Sequence, residues 1–309
     1  MKILIELPSW LGDTVMATPA IENVINNYKN SDITLIGSIV SIEAFKFHPK
    51  ITRSYIIEKK YFFIYKFIRQ LGKFDIFFSF RSSYRTTLLS FFINSINKYQ
   101  LKKDKNHNYH QVEIYNNFIN ASLKKNLPAT KLIIKNKSKL PHKKSNLLLG
   151  INPGASYGDA KRWSPKEFAK VASSLSNNYE ILIFGGPNEI EIAGDIERFL
   201  IRKGVLNYTN LAGKTSISEL ISYISNLDLF ITGDSGPMHL AAAFQIPTIA
   251  IFGPTRDEET SQWMNFKSVI VKKSLPCQPC MRRKCPLKHN NCMKLIKSDD
   301  ILSAVNSIN

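Results

Sequence analysis

The chain lacks the short motifs that mark several common nucleotide-dependent enzymes. No Gly-x-Gly-x-x-Gly sequence follows its first predicted strand, and no Gly-x-x-x-x-Gly-Lys-Ser/Thr phosphate loop is present. These absences disfavour a dinucleotide-dependent dehydrogenase and a P-loop enzyme.

Long apolar runs are missing as well. The first apolar run, from Lys2 to Leu7, is interrupted by Glu6 and is too short for a signal peptide. No uninterrupted apolar stretch approaches the roughly 20 residues that a membrane-spanning helix needs. We therefore expect a cytoplasmic protein that attaches to a membrane peripherally, if it attaches at all.

Acidic residues are scarce, and they are scarcest in the first half of the chain. Residues 1–146 carry 24 Lys and Arg against 9 Asp and Glu, a balance of +15, whereas residues 147–309 have a balance of +3. Together these make up the net charge of +18. The asymmetry suggests a large anionic partner for the first half, either nucleic acid or an anionic lipid head group. The alternative is a lysine-rich surface without a specific partner.

Cysteine is confined to one short segment. Cys277, Cys280, Cys285 and Cys292 have the spacing C-x2-C-x4-C-x6-C, with His289 between the last two. In a cytosolic chain this spacing favours a metal over disulfides, so a structural zinc outside the catalytic mechanism is possible. The alternative is four reduced free thiols.

Predicted strands alternate with predicted helices throughout the 309 residues. This alternation is typical of a parallel sheet covered on both faces, and the length suits two domains. We place them at residues 1–146 and 147–309, with a polar linker near Lys135–Ser145. The last helix packs either within its own domain or back on the first domain. The prediction is an α/β protein of two facing, doubly wound Rossmann-like domains with a ligand cleft between them.

Two loops of the second half have the features of phosphate sites. The segment Gly233–Leu240 joins a buried strand to a helix start, where free backbone N–H groups favour an anion. The segment Gly150–Pro165 brings Lys161 beside a loop of small residues, and Ser164 with Glu167 predicts a capping box on the following helix. The alternatives are an ordinary capped turn and a solvated surface lysine.

The first loop carries the best candidate for chemistry in the N-terminal half. Asp13 lies at the end of the first predicted strand, at the start of a helix predicted from about Thr14 to Tyr28. A carboxylate at this point could accept a proton from a bound hydroxyl. The alternative, which physical chemistry alone favours, is an aspartate that caps the helix.

Taken together in chain order, these motifs resemble the lipopolysaccharide heptosyltransferases of glycosyltransferase family 9, in their type II form. The matching segments are Pro8-Ser9-Trp10-Leu11-Gly12-Asp13, Asn152-Pro153-Gly154-Ala155, Ala160-Lys161-Arg162-Trp163, Leu211-Ala212-Gly213-Lys214-Thr215, Asp234-Ser235-Gly236-Pro237-Met238-His239 and Phe252-Gly253-Pro254-Thr255. Each segment is weakly specific alone, but the ordered set covers nearly the whole chain.

The resemblance implies a GT-B fold and an inverting, metal-independent transfer of heptose from ADP-L-glycero-D-manno-heptose to the inner-core heptose of lipopolysaccharide. It implies that Asp13 is the general base and that Lys161 stabilises the departing diphosphate. It also implies that the donor is bound by Glu189 at the ribose, Thr215 at the adenine, and Asp234, Ser235, Gly236 and His239 around the diphosphate. No Asp-x-Asp pair lies beside these loops, so no cofactor is expected for catalysis.

The same resemblance implies a binding partner for the basic first half of the chain. An acceptor made of Kdo and heptose on lipid A carries carboxylates and phosphates at the inner face of the cytoplasmic membrane. The candidate acceptor-binding residues are Lys59, Lys60, Arg81 and Arg85. Another family 9 transferase with a different donor or acceptor stays open. A non-enzymatic nucleic-acid-binding protein is supported by charge alone and lacks a recognition motif, so no nucleic-acid partner is expected.

Overall fold

The structure, a computed structural model, describes residues 1–57, 67–102, 109–137 and 147–308. They form two compact units, Met1–Lys135 and Asn136–Asn309. The boundary expected from the sequence, between residues 146 and 147, adjoins the segment 138–146, which lies outside the described ranges.

The first unit is built on a parallel sheet. Its strands are β1 (Lys2–Glu6), β2 (Asp32–Gly37), β3 (Ile51–Ile56), β4 (Phe74–Ser79) and β5 (Ser95–Gln100). Its helices include α1 (Leu11–Met16), α2 (Thr18–Asn27), α3 (Ile39–Ala44), α4 (Tyr84–Phe92) and α5 (Gln111–Leu123). The strand order is β3-β2-β1-β4-β5, and every neighbouring pair is parallel.

The second unit repeats this plan with one more strand. Its strands are β6 (Leu147–Asn152), β7 (Tyr179–Ile183), β8 (Tyr208–Asn210), β9 (Leu229–Gly233), β10 (Thr248–Ile251) and β11 (Ser268–Val271). Its α-helices are α6 (Pro165–Leu175), α7 (Ile190–Arg202), α8 (Ile217–Ile224), α9 (Gly236–Ala243), α10 (Asp257–Thr260), α11 (Asn291–Lys294) and α12 (Ser298–Ile308). The parallel order β8-β7-β6-β9-β10-β11 is that of dinucleotide-binding sheets.

The central strands are buried on both faces, which explains why they are nearly continuous apolar runs in the sequence. In the second unit the core joins the sheet to α6, α7 and α12 through Trp163, Phe168, Ile196 and Ile301. The indole N–H of Trp163 donates to the Ile296 carbonyl at 2.9 Å. The last helix, α12, therefore contributes to the core of its own unit.

Strand order reverses between β1 and β4 in the first unit and between β6 and β9 in the second. At such a point the connections leave toward opposite faces of the sheet, which opens a crevice at the carboxyl ends of the strands. The loops that follow β4, β6 and β9 carry Arg81, Lys161 and Asp234, and the helix α1 that follows β1 carries Asp13 in its first turn. Topology alone therefore places the main candidate residues of each unit at its ligand-binding edge.

Two local predictions were wrong. The first helix divides at Ala17 into α1 and α2, because Pro19 has no N–H for the Val15 carbonyl and the Thr18 hydroxyl donates to it instead, at 2.7 Å. Ser164 makes no side-chain cap on α6, since Glu167 instead accepts from Lys170 and from the backbone N–H of Ser298. The strands β8 and β11 were not predicted, because at three and four residues they are too short to show a clear strand pattern.

Candidate functional site

The centre of the second unit's site is an ion pair between Lys161 and Asp234. The Lys161 ammonium lies 2.5 Å from the Asp234 carboxylate, and both side chains are largely buried, with exposures of 11% and 7%. The Thr255 hydroxyl donates to the same carboxylate oxygen at 2.7 Å. Asp234 therefore fixes the position of a cation, and it does not cap a helix as the simplest sequence interpretation had it.

The start of α9 lies directly beside this pair. Ser235 is the N-cap and makes no side-chain cap bond, and Gly236 with Pro237 forms the first helical positions. The Ser235 hydroxyl instead contacts the Asn152 amide, 3.2 Å away, at the end of β6. The start of α9, with the Gly236 N–H, thus lies next to the Lys161 ammonium, which is 3.5 Å from the Asp234 carbonyl, and this arrangement suits a phosphate. His239 is buried one turn further along α9.

Glu189 lies at the next point along this edge of the sheet. It is buried, and its carboxylate accepts from the Gly186 backbone N–H at 2.7 Å. Gly154 lies so close that a Cβ there would overlap the Glu189 carboxyl group. The loop after β6 and the start of α7 are therefore packed around one carboxylate.

The Gly154→Ala substitution should destabilise the second unit by about 1–3 kcal/mol, because the added methyl overpacks the site and displaces Glu189. Thermal unfolding and ADP calorimetry measure the two consequences. Gly186→Ala is the matched control, since its Cβ would meet Glu189 only at 3.6 Å and the N–H is kept. Equal effects of both substitutions would show that Glu189 packing is not the cause.

Thr215 lies in the loop between β8 and α8 and is half-buried. This loop is hydrogen-bonded to the loop that follows β7, because the Gly213 N–H donates to the Gly185 carbonyl at 2.9 Å. The predicted donor-binding residues of the second unit thus form one continuous edge over the carboxyl ends of β6, β7, β8 and β9.

Asp13 of the first unit is not a helix cap. The N-cap of α1 is Trp10, and Asp13 is a residue of the first helical turn. Its half-buried carboxylate receives a hydrogen bond from the hydroxyl of Tyr115 on α5, and burial followed by this charge raises the pKa of Tyr115 well above its ordinary value. A residue of helix α5 thus holds the Asp13 carboxylate in place. The interpretation of Asp13 as a helix cap is removed, and its interpretation as a catalytic base stays a prediction.

Arg81 follows β4 and is bound to a buried carboxylate. Its guanidinium lies 3.4 Å from Glu6 at the end of β1, and Glu6 also accepts from the hydroxyls of Ser79 and Thr86 at 2.6 and 3.3 Å. Burial raises the pKa of Glu6, whereas these hydrogen bonds and the charges of Arg81 and Arg85 lower it. Arg81 is therefore oriented by Glu6 while staying 24% exposed.

Arg85 lies on the first turn of α4, near the same carboxylate. Lys59 and Lys60 lie outside the described residues. Sequence reasoning missed three members of the two sites, namely Glu6, Tyr115 and Thr255. Thr255 could have been found from its position, because it follows a predicted strand in a segment that resembles the family. Glu6 was considered only as an interruption of an apolar run.

The family model of glycosyltransferase family 9 (heptosyltransferase) matches residues 76–291. The chain belongs to this family. It is 41% identical to lipooligosaccharide heptosyltransferase 2 of Campylobacter jejuni serotype O:6, over 100% of this chain and 99% of the relative. The resemblance seen in the ordered motifs is thereby confirmed, including its type II form.

Solved heptosyltransferases share the fold. The structure of E. coli ADP-heptose LPS heptosyltransferase II superposes with a TM-score of 0.83 at 19% identity, covering 100% of this chain and 98% of that one. E. coli heptosyltransferase WaaC with ADP gives a TM-score of 0.78 at 15% identity, with both chains fully covered. The predicted GT-B fold of two parallel-sheet Rossmann-like domains is confirmed.

Proposed function

We propose that this heptosyltransferase transfers heptose from ADP-L-glycero-D-manno-heptose to the inner-core heptose of a lipopolysaccharide or lipooligosaccharide acceptor. The support is the full-length likeness to a heptosyltransferase 2, together with a cation held at a helix start in the second unit. Transfer inverts the anomeric centre and passes through an oxocarbenium-like state while the leaving ADP gains charge.

The second unit binds the donor in this proposal. The Lys161 ammonium and the first N–H groups of α9 face the diphosphate, where negative charge develops as the glycosidic bond breaks. Asp234 and Thr255 hold the ammonium so that it need not reorganise during the reaction. Glu189 binds the ribose and Thr215 the adenine, while Ser235, Gly236 and His239 line the phosphate end.

The first unit activates the acceptor. The Asp13 carboxylate takes the proton from the acceptor hydroxyl as that oxygen attacks the anomeric carbon, and the Tyr115 hydroxyl keeps the carboxylate oriented. Arg81, oriented by Glu6, and Arg85 bind the carboxylates or phosphates of the acceptor, with Lys59 and Lys60 as further candidates.

The deciding experiment offers the purified enzyme ADP-heptose with defined lipid A cores that end before or after the first heptose, and reads the products by mass spectrometry. We expect one added heptose only on the core that already carries a heptose. ADP-glucose and ADP-mannose serve as control donors. Transfer of another sugar, or addition directly to Kdo, would contradict the proposed donor or acceptor.

Arg81→Ala and Arg85→Ala should each raise the acceptor KM about tenfold while leaving ADP affinity nearly unchanged. The effect should shrink in high salt, because exposed charges are screened over a Debye length of about 8–10 Å near physiological ionic strength. Acceptor kinetics at two salt concentrations, with ADP calorimetry on each variant, separate the outcomes. Loss of ADP affinity would instead place these arginines in the donor site.

We further propose that the enzyme works at the inner face of the cytoplasmic membrane, attached through α4. Within the described ranges no helix is long and apolar enough to cross a bilayer. Tyr84, Leu88, Phe91 and Phe92 share one face of α4 and are exposed, Tyr84 at 84% and Phe91 at 78%. An apolar helix face beside Arg85, on the basic half of the chain, suits an anionic lipid surface.

Phe91→Ser should weaken binding to vesicles that contain an anionic phospholipid by about tenfold, because a buried aromatic side chain contributes about 1.5–3 kcal/mol. Vesicle sedimentation measures the change. Phe266→Ser is the matched control, since Phe266 is equally exposed, at 83%, but lies in the second unit. Equal losses for both variants would contradict a membrane-facing role of α4.

A further inference from the structure

The four cysteines lie in a segment that the transfer reaction does not use. None of Cys277, Cys280, Cys285 and Cys292 is in a disulfide, and all four line one small cavity together with His289. The cavity measures ≈ 20 Å³, room for about one particle the size of a water molecule. The fold therefore brings all four cysteines, which span residues 277–292, to the wall of the same cavity.

The surroundings of Cys285 suit a metal-bound sulfur. The Asn290 backbone N–H lies 3.4 Å from its Sγ, and the amides of residues 287–289 are directed at the same atom. Amide donors around a sulfur are the usual outer-shell partners of a metal thiolate. His289 is engaged at Nδ1 by the backbone N–H of Asn291, at 3.0 Å, so the four sulfurs are the natural ligand set.

The cysteines lie in a long irregular loop. Residues 272–290 contain neither helix nor strand, and the apolar side chains of Met281 and Leu287 are exposed. Loops longer than about 12–15 residues without secondary structure are uncommon in compact domains unless something orders them. A loop of this length that buries few apolar side chains typically needs a metal ion or a disulfide to stabilise it.

This segment contacts the loops that carry Lys161 and Thr255. The Arg283 carbonyl accepts from the Ala160 N–H at 3.1 Å, and the Met281 carbonyl accepts from the Tyr157 hydroxyl at 2.7 Å. The Tyr157 ring in turn lies 4.6 Å from the Lys161 ammonium. On the other side, the Gln278 amide donates to the Gly253 carbonyl at 2.6 Å, next to the loop of Thr255.

We propose that the four cysteine thiolates bind one structural zinc ion, which fixes this segment against the loops that hold Lys161. Within the described ranges no three Cys, His, Asp or Glu side chains already have metal-binding geometry, so zinc would draw the sulfurs inward to a tetrahedral site. The ion takes no part in the transfer. Its effect on the donor rests on the proposed function, whereas its binding does not.

The test begins with elemental analysis of the purified full-length protein, which should contain one zinc per chain. Cobalt substitution should give thiolate-to-cobalt charge-transfer absorption, a readout independent of activity and of any variant's folding. Cys277→Ser with Cys280→Ser should abolish zinc and raise the ADP Kd at least about tenfold. Lys284→Ala is the control, because Lys284 is exposed in the same segment and carries no thiol.

Protein that binds ADP tightly without zinc, zinc retained by the double variant, or iron in place of zinc would each overturn the proposal. Zinc bound as expected in an enzyme that fails to transfer heptose would contradict the proposed function and leave the metal site standing.

Discussion

Replacing Asp13 with asparagine should lower kcat by about 10²–10⁴-fold, the usual contribution of a general base, while ADP affinity and the fold are preserved. Asparagine has the same shape and can still accept the Tyr115 hydrogen bond, but it cannot take a proton from the acceptor. Because Trp10 is the N-cap of α1, the substitution removes no cap. Single-turnover kinetics with saturating ADP-heptose and acceptor measure the loss.

Tyr115→Phe is the matched control for this prediction. It removes the hydroxyl that orients the carboxylate but keeps the carboxylate itself, so its effect on kcat should be far smaller than that of Asp13→Asn. If both variants lost activity equally, Asp13 would be acting by holding Tyr115 and α5 in place. Near-normal turnover by the folded Asp13→Asn variant would remove Asp13 from the mechanism.

The sequence predicted the fold and the loops of the site because both depend on local patterns. Apolar runs such as Leu229–Gly233 are strands buried on both faces, and the loops that follow them lie at the ligand edge by topology alone. The predicted boundaries of the first helix were wrong because a side chain there replaces a backbone hydrogen-bond donor. The Thr18 hydroxyl donates to the Val15 carbonyl, which Pro19 cannot do because it has no N–H. The spacing of apolar residues in the sequence does not reveal such a replacement.

Partners far apart in sequence could not be predicted. Arg81 was expected as a cation available to the acceptor, yet it is oriented by Glu6, which lies 75 residues away. Lys161 and Asp234 were both chosen as site residues, but nothing in either loop indicated that they would form a buried ion pair across 73 residues. Pairing of this kind depends on how strands are ordered in the sheet, and a single sequence does not reveal it.

Lys161→Ala should lower kcat by about 10²–10³-fold as well as weaken ADP binding, because the ammonium stabilises charge that develops only as the ADP departs. Part of the loss has a second cause. Removing one partner of a buried ion pair leaves Asp234 uncompensated, which typically costs about 3–5 kcal/mol of stability and presents a carboxylate to the diphosphate. Thermal unfolding and full kinetics of the single variant report the combined effect.

The double variant Lys161→Ala with Asp234→Asn separates the two causes. Its site is neutral, and the asparagine can still accept from Thr255, so stability should return toward that of the parent enzyme. Turnover should stay low, because no cation faces the leaving phosphate. A raised KM with unchanged kcat in the single variant would make Lys161 a uniform binding contact. Recovery of kcat in the double variant would show that the lysine only neutralises Asp234, and transition-state stabilisation would then fall to the N–H groups of α9.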